Sequence, residues 1–220
     1  MRKPLSMSRS ISSCFCLLFS LSFTYAAQDS ADIALPTPQF ERGRPLMQVL
    51  KDRKSTRVFD SRPIPVQELS NLLWAAFGIN RPDRDGRTAP SAMNMQEIDV
   101  YVSLPEGLYL YDAKTNLLKK VLAKDIRELT GKQPFVKDAP LEIILVADLS
   151  KMKKPDEAHK KIYGAADAAY ISQNIYLYCA SEGLATVVRG SVDKPALAPV
   201  MQLRPDQEII FAQTVGYPKK

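Results

Sequence analysis

Apolar positions mark out the elements of this chain. Leu69, Leu72, Leu73, Ala76 and Phe77 recur at helical spacing across Val66–Phe77, and Gly78 stops that helix. A shorter helix is predicted over 46–53, with Leu46, Val49 and Leu50 on one face. The longest helical pattern covers 155–182 and ends at Gly183. Nearly every residue from Ala165 to Ala180 is small or apolar, which predicts the most buried helix in the molecule. Short helices are predicted over 125–130 and 194–201. Ile98–Leu104 alternates and is rich in Val and Tyr, so it reads as a strand. A second strand over 108–111 runs through a turn into Leu117–Leu122. Residues 141–149 form a continuous apolar run, the profile of a strand buried on both faces. Strands over 184–188 and 208–215 complete the set. Residues 28–44 read as an extended or wrapping leader and 80–90 as a polar loop, and Ser91 stands where an N-cap opens a short helix. Hairpins around one long central helix, with no internal repeat, predict an α+β fold in which a sheet is layered with helices.

The N-terminus has a different pattern. Arg2, Lys3 and Arg9 precede a short apolar core from Ile11 to Phe23, and Thr24-Tyr25-Ala26-Ala27 supplies small residues for cleavage. Residues 1–27 therefore read as a secretory signal peptide, and residues 28–220 as a single exported domain, periplasmic or secreted. The apolar run is shorter than the ~20 residues a spanning helix needs. Removal of three cations and no acid takes the formal net charge from +6 to +3.

That charge is interspersed with acids and forms no basic stripe, which argues against a nucleic-acid partner. Cys14 and Cys16 leave with the signal, so Cys179 has no intrachain disulfide partner, and its apolar helical surroundings read as a buried structural thiol. His159 is the only histidine and lies among lysines. One His and one mature Cys disfavour zinc chemistry and a Ser/His/Asp triad, so a bound cofactor is expected to supply any redox chemistry.

The candidate chemistry centres on Arg53-Lys54-Ser55-Thr56-Arg57, where three cations and two hydroxyls fall in five residues. Such a cluster suits a phosphate, although a solvated basic turn has the same composition. Pro90-Ser91-Ala92-Met93-Asn94 places two short polar side chains in a turn, as ligand contacts or as ordinary capping groups.

These blocks carry a resemblance. Arg53-Lys54-Ser55-Thr56-Arg57, Pro90-Ser91-Ala92-Met93-Asn94, the long helix with Asp167, Gln173 and Asn174, and Gly183 to Val188 with Val215-Gly216-Tyr217-Pro218 occur in an order that resembles the flavin-dependent nitroreductase family. Within it the chain looks closest to the branch with the azoline-oxidising peptide dehydrogenases. The resemblance implies a three-layer fold with a mixed central sheet flanked by helices. It also implies an intertwined homodimer with two FMN molecules at the subunit interface. The flavin would exchange two electrons with a small molecule such as a nitroaromatic, a quinone or an azoline; a non-catalytic flavin- or ligand-binding protein is the alternative.

By the same resemblance, Arg53, Lys54, Ser55 and Arg57 would hold the phosphate and the pyrimidine side. Asn94 would meet the polar flavin edge or the ribityl chain, Ser91 would reach a ribityl hydroxyl or the phosphate from the other subunit, and Thr186, Val187 and Val188 would pack along the ring. Val187 and Val188 fit a plain core strand equally well. Lys219 would reach the phosphate or end as a free tail. Arg189 departs from the branch, which commonly has an apolar residue there, and would face the flavin or the solvent. The small residues Ala165 to Ala169 would let a second subunit approach, or pack within one.

Overall fold

The computed structural model describes Met1 and residues 31–219. The signal segment expected over 1–27 lies outside the described residues. Apart from one hairpin, the strands form one sheet. Its main path is β1 (Ile33–Ala34), β7 (Leu117–Leu122), β6 (Gly107–Asp112), β5 (Ile98–Leu104), β8 (Leu141–Asp148) and β10 (Gln207–Pro218), in that order. β9 (Ala185–Arg189) and β2 (Phe59–Asp60) both pair with β10, while β3 (Ile79–Arg81) and β4 (Gly86–Arg87) make the separate hairpin. The helices are α1 (Leu46–Asp52), α2 (Val66–Phe77), α3 (Glu157–Glu182) and α4 (Lys194–Val200).

Every pairing in the sheet is antiparallel, whereas a mixed sheet was expected. The connection explains this. β8 leads through α3 into β9, and these two strands run in the same direction. β10 lies between them and pairs antiparallel with both, so the crossover forms no parallel ladder.

All eight residues of β8 are buried, the expected burial on both faces, and they include the two acids Glu142 and Asp148. Its faces feed two cores. One holds Leu72, Leu73, Leu145, Ile171 and Ile175, between the sheet and α2 and α3; the other holds Ile144, Val146, Leu197 and Met201, against α4. Gly183 caps α3 at φ +74, a left-handed turn open to glycine without strain.

The burial expected of α3 fails, and the apolar face of α1 shows the same pattern. On α1 only Val49 is buried, while Leu46 and Leu50 face outward with Met47. On α3, Ile162, Ala165, Ala169, Tyr170 and Gln173 are exposed, so α2 is the better-buried helix in one protomer. The apolar stripe that periodicity assigns to the core has no cover within a single chain. Among the described residues, no helix is long and apolar enough to cross a membrane.

Candidate functional site

The Arg53–Arg57 segment leaves α1 in extended conformation, with Arg53 at φ −56 and ψ 123. The Thr56 N–H donates to the Thr186 carbonyl at 2.9 Å, which ties the segment to β9. Alternate side chains of an extended segment point to opposite sides. Ser55 turns to Tyr176 on α3, its hydroxyl 2.8 Å from the phenol oxygen. The Val188 N–H donates to the same phenol at 3.0 Å, and the Arg53 guanidinium lies 5.4 Å from the centre of the Tyr176 ring. Arg57 is exposed. On the other side, Lys54 and Thr56 line a cavity of about 480 Å³ with Tyr176, Cys179, Thr186 and Lys219.

Tyr176 therefore connects the basic segment, the long helix and β9. Periodicity alone assigns it to the helix core. The only available signal is a pair of tyrosines, Tyr176 and Tyr178, in an apolar stretch, each needing a partner for its hydroxyl.

β9 contributes less than expected through its side chains. The Thr186 hydroxyl donates to the Thr214 carbonyl at 2.8 Å and accepts from Gln213, so it is used inside the sheet. Val187 packs into a small core with Phe59, Ala139 and Ala185. Val188, on the other face, is half-buried. Lys219 follows β10, its N–H donating to the Val58 carbonyl at 3.3 Å. Cys179 is buried, and burial pushes its thiol well above the ordinary range, in keeping with a structural thiol.

Charge decides what the segment can hold. Among the described residues, Arg53, Lys54, Arg57 and Lys219 form no ion pair, while the neighbouring Asp52 is paired with Arg44. Lys54 and Lys219 line the cavity, with Asp52 on its wall already held by Arg44, and Arg53 and Arg57 stand on the other side of the segment; cations without a partner acid suit an anionic group such as a phosphate.

Ser91 and Asn94 lie elsewhere on the protomer. Ala92–Asn94 is a single 3₁₀ turn, and the Ser91 hydroxyl accepts the Gln96 N–H at 3.0 Å rather than capping the turn itself. Met93, Asn94 and Gln96 all have φ near 50, the left-handed region that costs most residues energy. The loop is pinned by Ala92 N–H to Asp167 Oδ2 at 2.8 Å and by Gln96, which Arg87 holds at 2.9 Å. Asn94 is exposed, and its Oδ1 accepts from Gln96 at 3.2 Å. Asp167 and Tyr176 are nine residues apart on α3, roughly 13 Å along the axis and half a turn around it. One protomer thus does not bring the two candidate sets together.

Arg189 does not face the solvent. It is buried, bonded to Glu142 at 2.5 Å and to the Thr130 carbonyl at 2.7 Å. Thr214 donates to the other Glu142 oxygen at 2.7 Å. Burial pushes the Glu142 carboxyl up to about 7, while Arg189, Thr214 and Thr130 pull it down. A Cβ at Gly131 would stand 1.7 Å from Arg189 Nη1, so this close approach needs glycine. An arginine in a strand rich in Val and Thr finds an acid inside the same sheet, because the neighbouring strands leave it no path to water.

Comparison with known proteins now places the chain. It belongs to the nitroreductase family, whose model matches residues 50–217. A Ralstonia eutropha structure described as a nitroreductase is 46% identical, with a TM-score of 0.83, covering 87% of this chain and 91% of that one. A Methanocaldococcus jannaschii protein named as a nitroreductase is 27% identical over 186 residues, 80% of this chain and 92% of its own length. The NADPH:FMN oxidoreductase of Vibrio harveyi shares the fold at 17% identity and a TM-score of 0.60, over 80% of this chain and 69% of that one. The chain is accordingly an oxidoreductase of the flavin type.

Proposed function

We propose that this protein is an exported, homodimeric FMN-dependent oxidoreductase. It moves two electrons to or from a small organic substrate: a nitroaromatic, a quinone or an azoline-type ring. The observation that carries the reading is the Arg53–Arg57 segment, whose cations lack anionic partners and whose Ser55 is fixed against Tyr176. Arg53, Arg57 and the nearby Lys54 and Lys219 would hold the phosphate. Val188 would pack along the ring, and Ser91 and Asn94 of the partner subunit would complete the polar contacts. Bound FMN supplies two-electron chemistry; the protein's share is to bind it, orient it and exclude water.

A dimer accounts for two otherwise unconnected facts. The two candidate sets are split along α3, and the exposed stripe of Ile162, Ala165, Ala169 and Tyr170 lies on that same helix. The test is to incubate purified protein with FMN, desalt it, record the visible spectrum, reduce the flavin without oxygen and add a nitroaromatic or a quinone. Retained flavin that reoxidises on addition of the acceptor supports the reading. A folded dimer that retains no flavin makes this a binding protein on the same fold.

The dimer face has its own test. Ala169 is exposed in one protomer, so Ala169→Trp should fold normally if α3 faces water. The expected result is loss of the dimer in size-exclusion chromatography, with FMN retained at least about tenfold less tightly, because a large side chain cannot enter a close helix contact. An unchanged FMN-bound dimer would exclude α3 from the interface.

A further inference from the structure

The loop that carries Ser91 and Asn94 rests on two buried acids. Glu97, directly after the loop, is 0% exposed, and neither of its carboxyl oxygens has a hydrogen-bond donor. Its carboxyl meets that of Asp167, which is 3% exposed. Asp167 in turn accepts the Ala92 N–H at 2.8 Å. A buried acid without a donor demands explanation, and two facing carboxyls cannot both be charged in a dry site.

We infer that Glu97 is a positioning residue: it keeps its proton and donates it to Asp167, so that an acid–carboxylate pair locks the Ser91–Asn94 loop in its strained shape. The Ala92 N–H stabilises negative charge on Asp167, which leaves the shared proton on Glu97. Its own main-chain N–H and Lys151 favour the charged form, and burial outweighs both. From the end of β8 the Asp148 N–H goes to the Glu97 main-chain carbonyl rather than to its carboxyl. Lys151, the cation whose charge acts on it, is held by Asp99 at 2.6 Å. Burial, with the Asp167 carboxyl adding to it, pushes Glu97 from an ordinary 4.5 up to about 7. The folded value lies above the unfolded one, so the lock is fully in place below about 4.5 and is lost as pH rises through about 7. Ionised, Glu97 would repel Asp167 and free a backbone that holds Met93, Asn94 and Gln96 at φ near 50 only under constraint.

The inference rests on the reading of Asn94 and Ser91 as flavin contacts, and the experiment separates the two. FMN dissociation constants are measured by flavin fluorescence from pH 6 to pH 9 for the wild type and Glu97→Gln. Thermal midpoints of the apoproteins are recorded over pH 5 to 9. Glutamine donates an N–H to Asp167 at every pH, so it should keep the affinity that the wild type has at pH 6. Wild-type affinity should fall about tenfold by pH 9, while Glu97→Gln stays within about twofold once shared effects such as phosphate ionisation are subtracted. The wild-type midpoint should fall relative to that of Glu97→Gln from pH 5 to about 7 and run parallel to it above that. Parallel pH curves for the two proteins would overturn the inference. If neither protein binds FMN at any pH, the flavin reading fails. The midpoints then decide the pair alone: a pH-dependent difference upholds it and parallel midpoints overturn it.

Discussion

Glu142→Ala is expected to cost about 3–5 kcal/mol of folding stability, read as a lowered midpoint in urea unfolding. The substitution leaves the Arg189 guanidinium buried beside Thr130 and Gly131, with no counter-charge and no route to water. It also strips Thr214 of the oxygen that its hydroxyl donates to. On a domain stable by about 5–15 kcal/mol, such a loss is a third or more of the total in most cases. Glu142→Leu combined with Arg189→Met should recover most of it, because the desolvation cost leaves together with the pair. This double-mutant cycle distinguishes a charge effect from a cavity effect: if the double variant is as unstable as the sum of the singles, poorer packing is responsible and not the ion pair.

The pair also bears on the site. Glu142 sits on β8, Arg189 at the end of β9, and Thr214 on β10 between them. These three strands set the position of the Val188 N–H that Tyr176 accepts. The ion pair is thus part of the frame for the proposed cofactor face, although it touches no proposed ligand atom. Partial loss of that frame should loosen the Ser55–Tyr176–Val188 connection before the whole domain unfolds.

Much of this was legible along the chain. The helix Val66–Phe77 and the strands Ile98–Leu104 and Leu117–Leu122 have the bounds that periodicity predicts, because each packs against the protomer's own core. Where the prediction of burial failed, on α3, and where α1 shows the same pattern, the apolar face was real and its cover was absent from the single chain. Pairing order was less visible: β2 and β4 are two residues long, too short to show a period. The Arg53–Arg57 cluster stood out by composition alone. Tyr176 did not, since a tyrosine on a helix looks the same whether its hydroxyl meets solvent or a backbone amide. Glu142 is a sharper sign: an acid beside the apolar run Ile143–Ala147 requires a buried partner, and Arg189 is the one it has. Glu97 gave none. It precedes an alternating strand where an exposed acid is ordinary, and only the fold turns it toward Asp167.

Arg53→Ala/Arg57→Ala is expected to abolish FMN retention, with the dissociation constant rising at least about 100-fold. Each charge-assisted hydrogen bond removed costs roughly 1.5–3 kcal/mol, and two together reach that factor. Neither side chain forms an ion pair with the protein, so stability should stay nearly unchanged; the substitution takes away only the stacking of Arg53 over the Tyr176 ring. Arg53→Lys/Arg57→Lys should recover only part of the affinity, since an ammonium keeps the charge but not the two-pronged grip on phosphate oxygens. Lys153→Ala/Lys154→Ala removes the same charge from an exposed stretch before α3 and serves as the control. If the control weakens FMN as much as the arginine variant does, net charge rather than a built site attracts the flavin. Should the arginine variant keep its flavin spectrum after desalting, the phosphate must sit in the cavity lined by Lys54, Thr56 and Lys219 on the other side of the segment. Lys54→Ala/Lys219→Ala then becomes the variant that loses it. The two sides of one extended segment thus give opposite outcomes in a single absorption measurement.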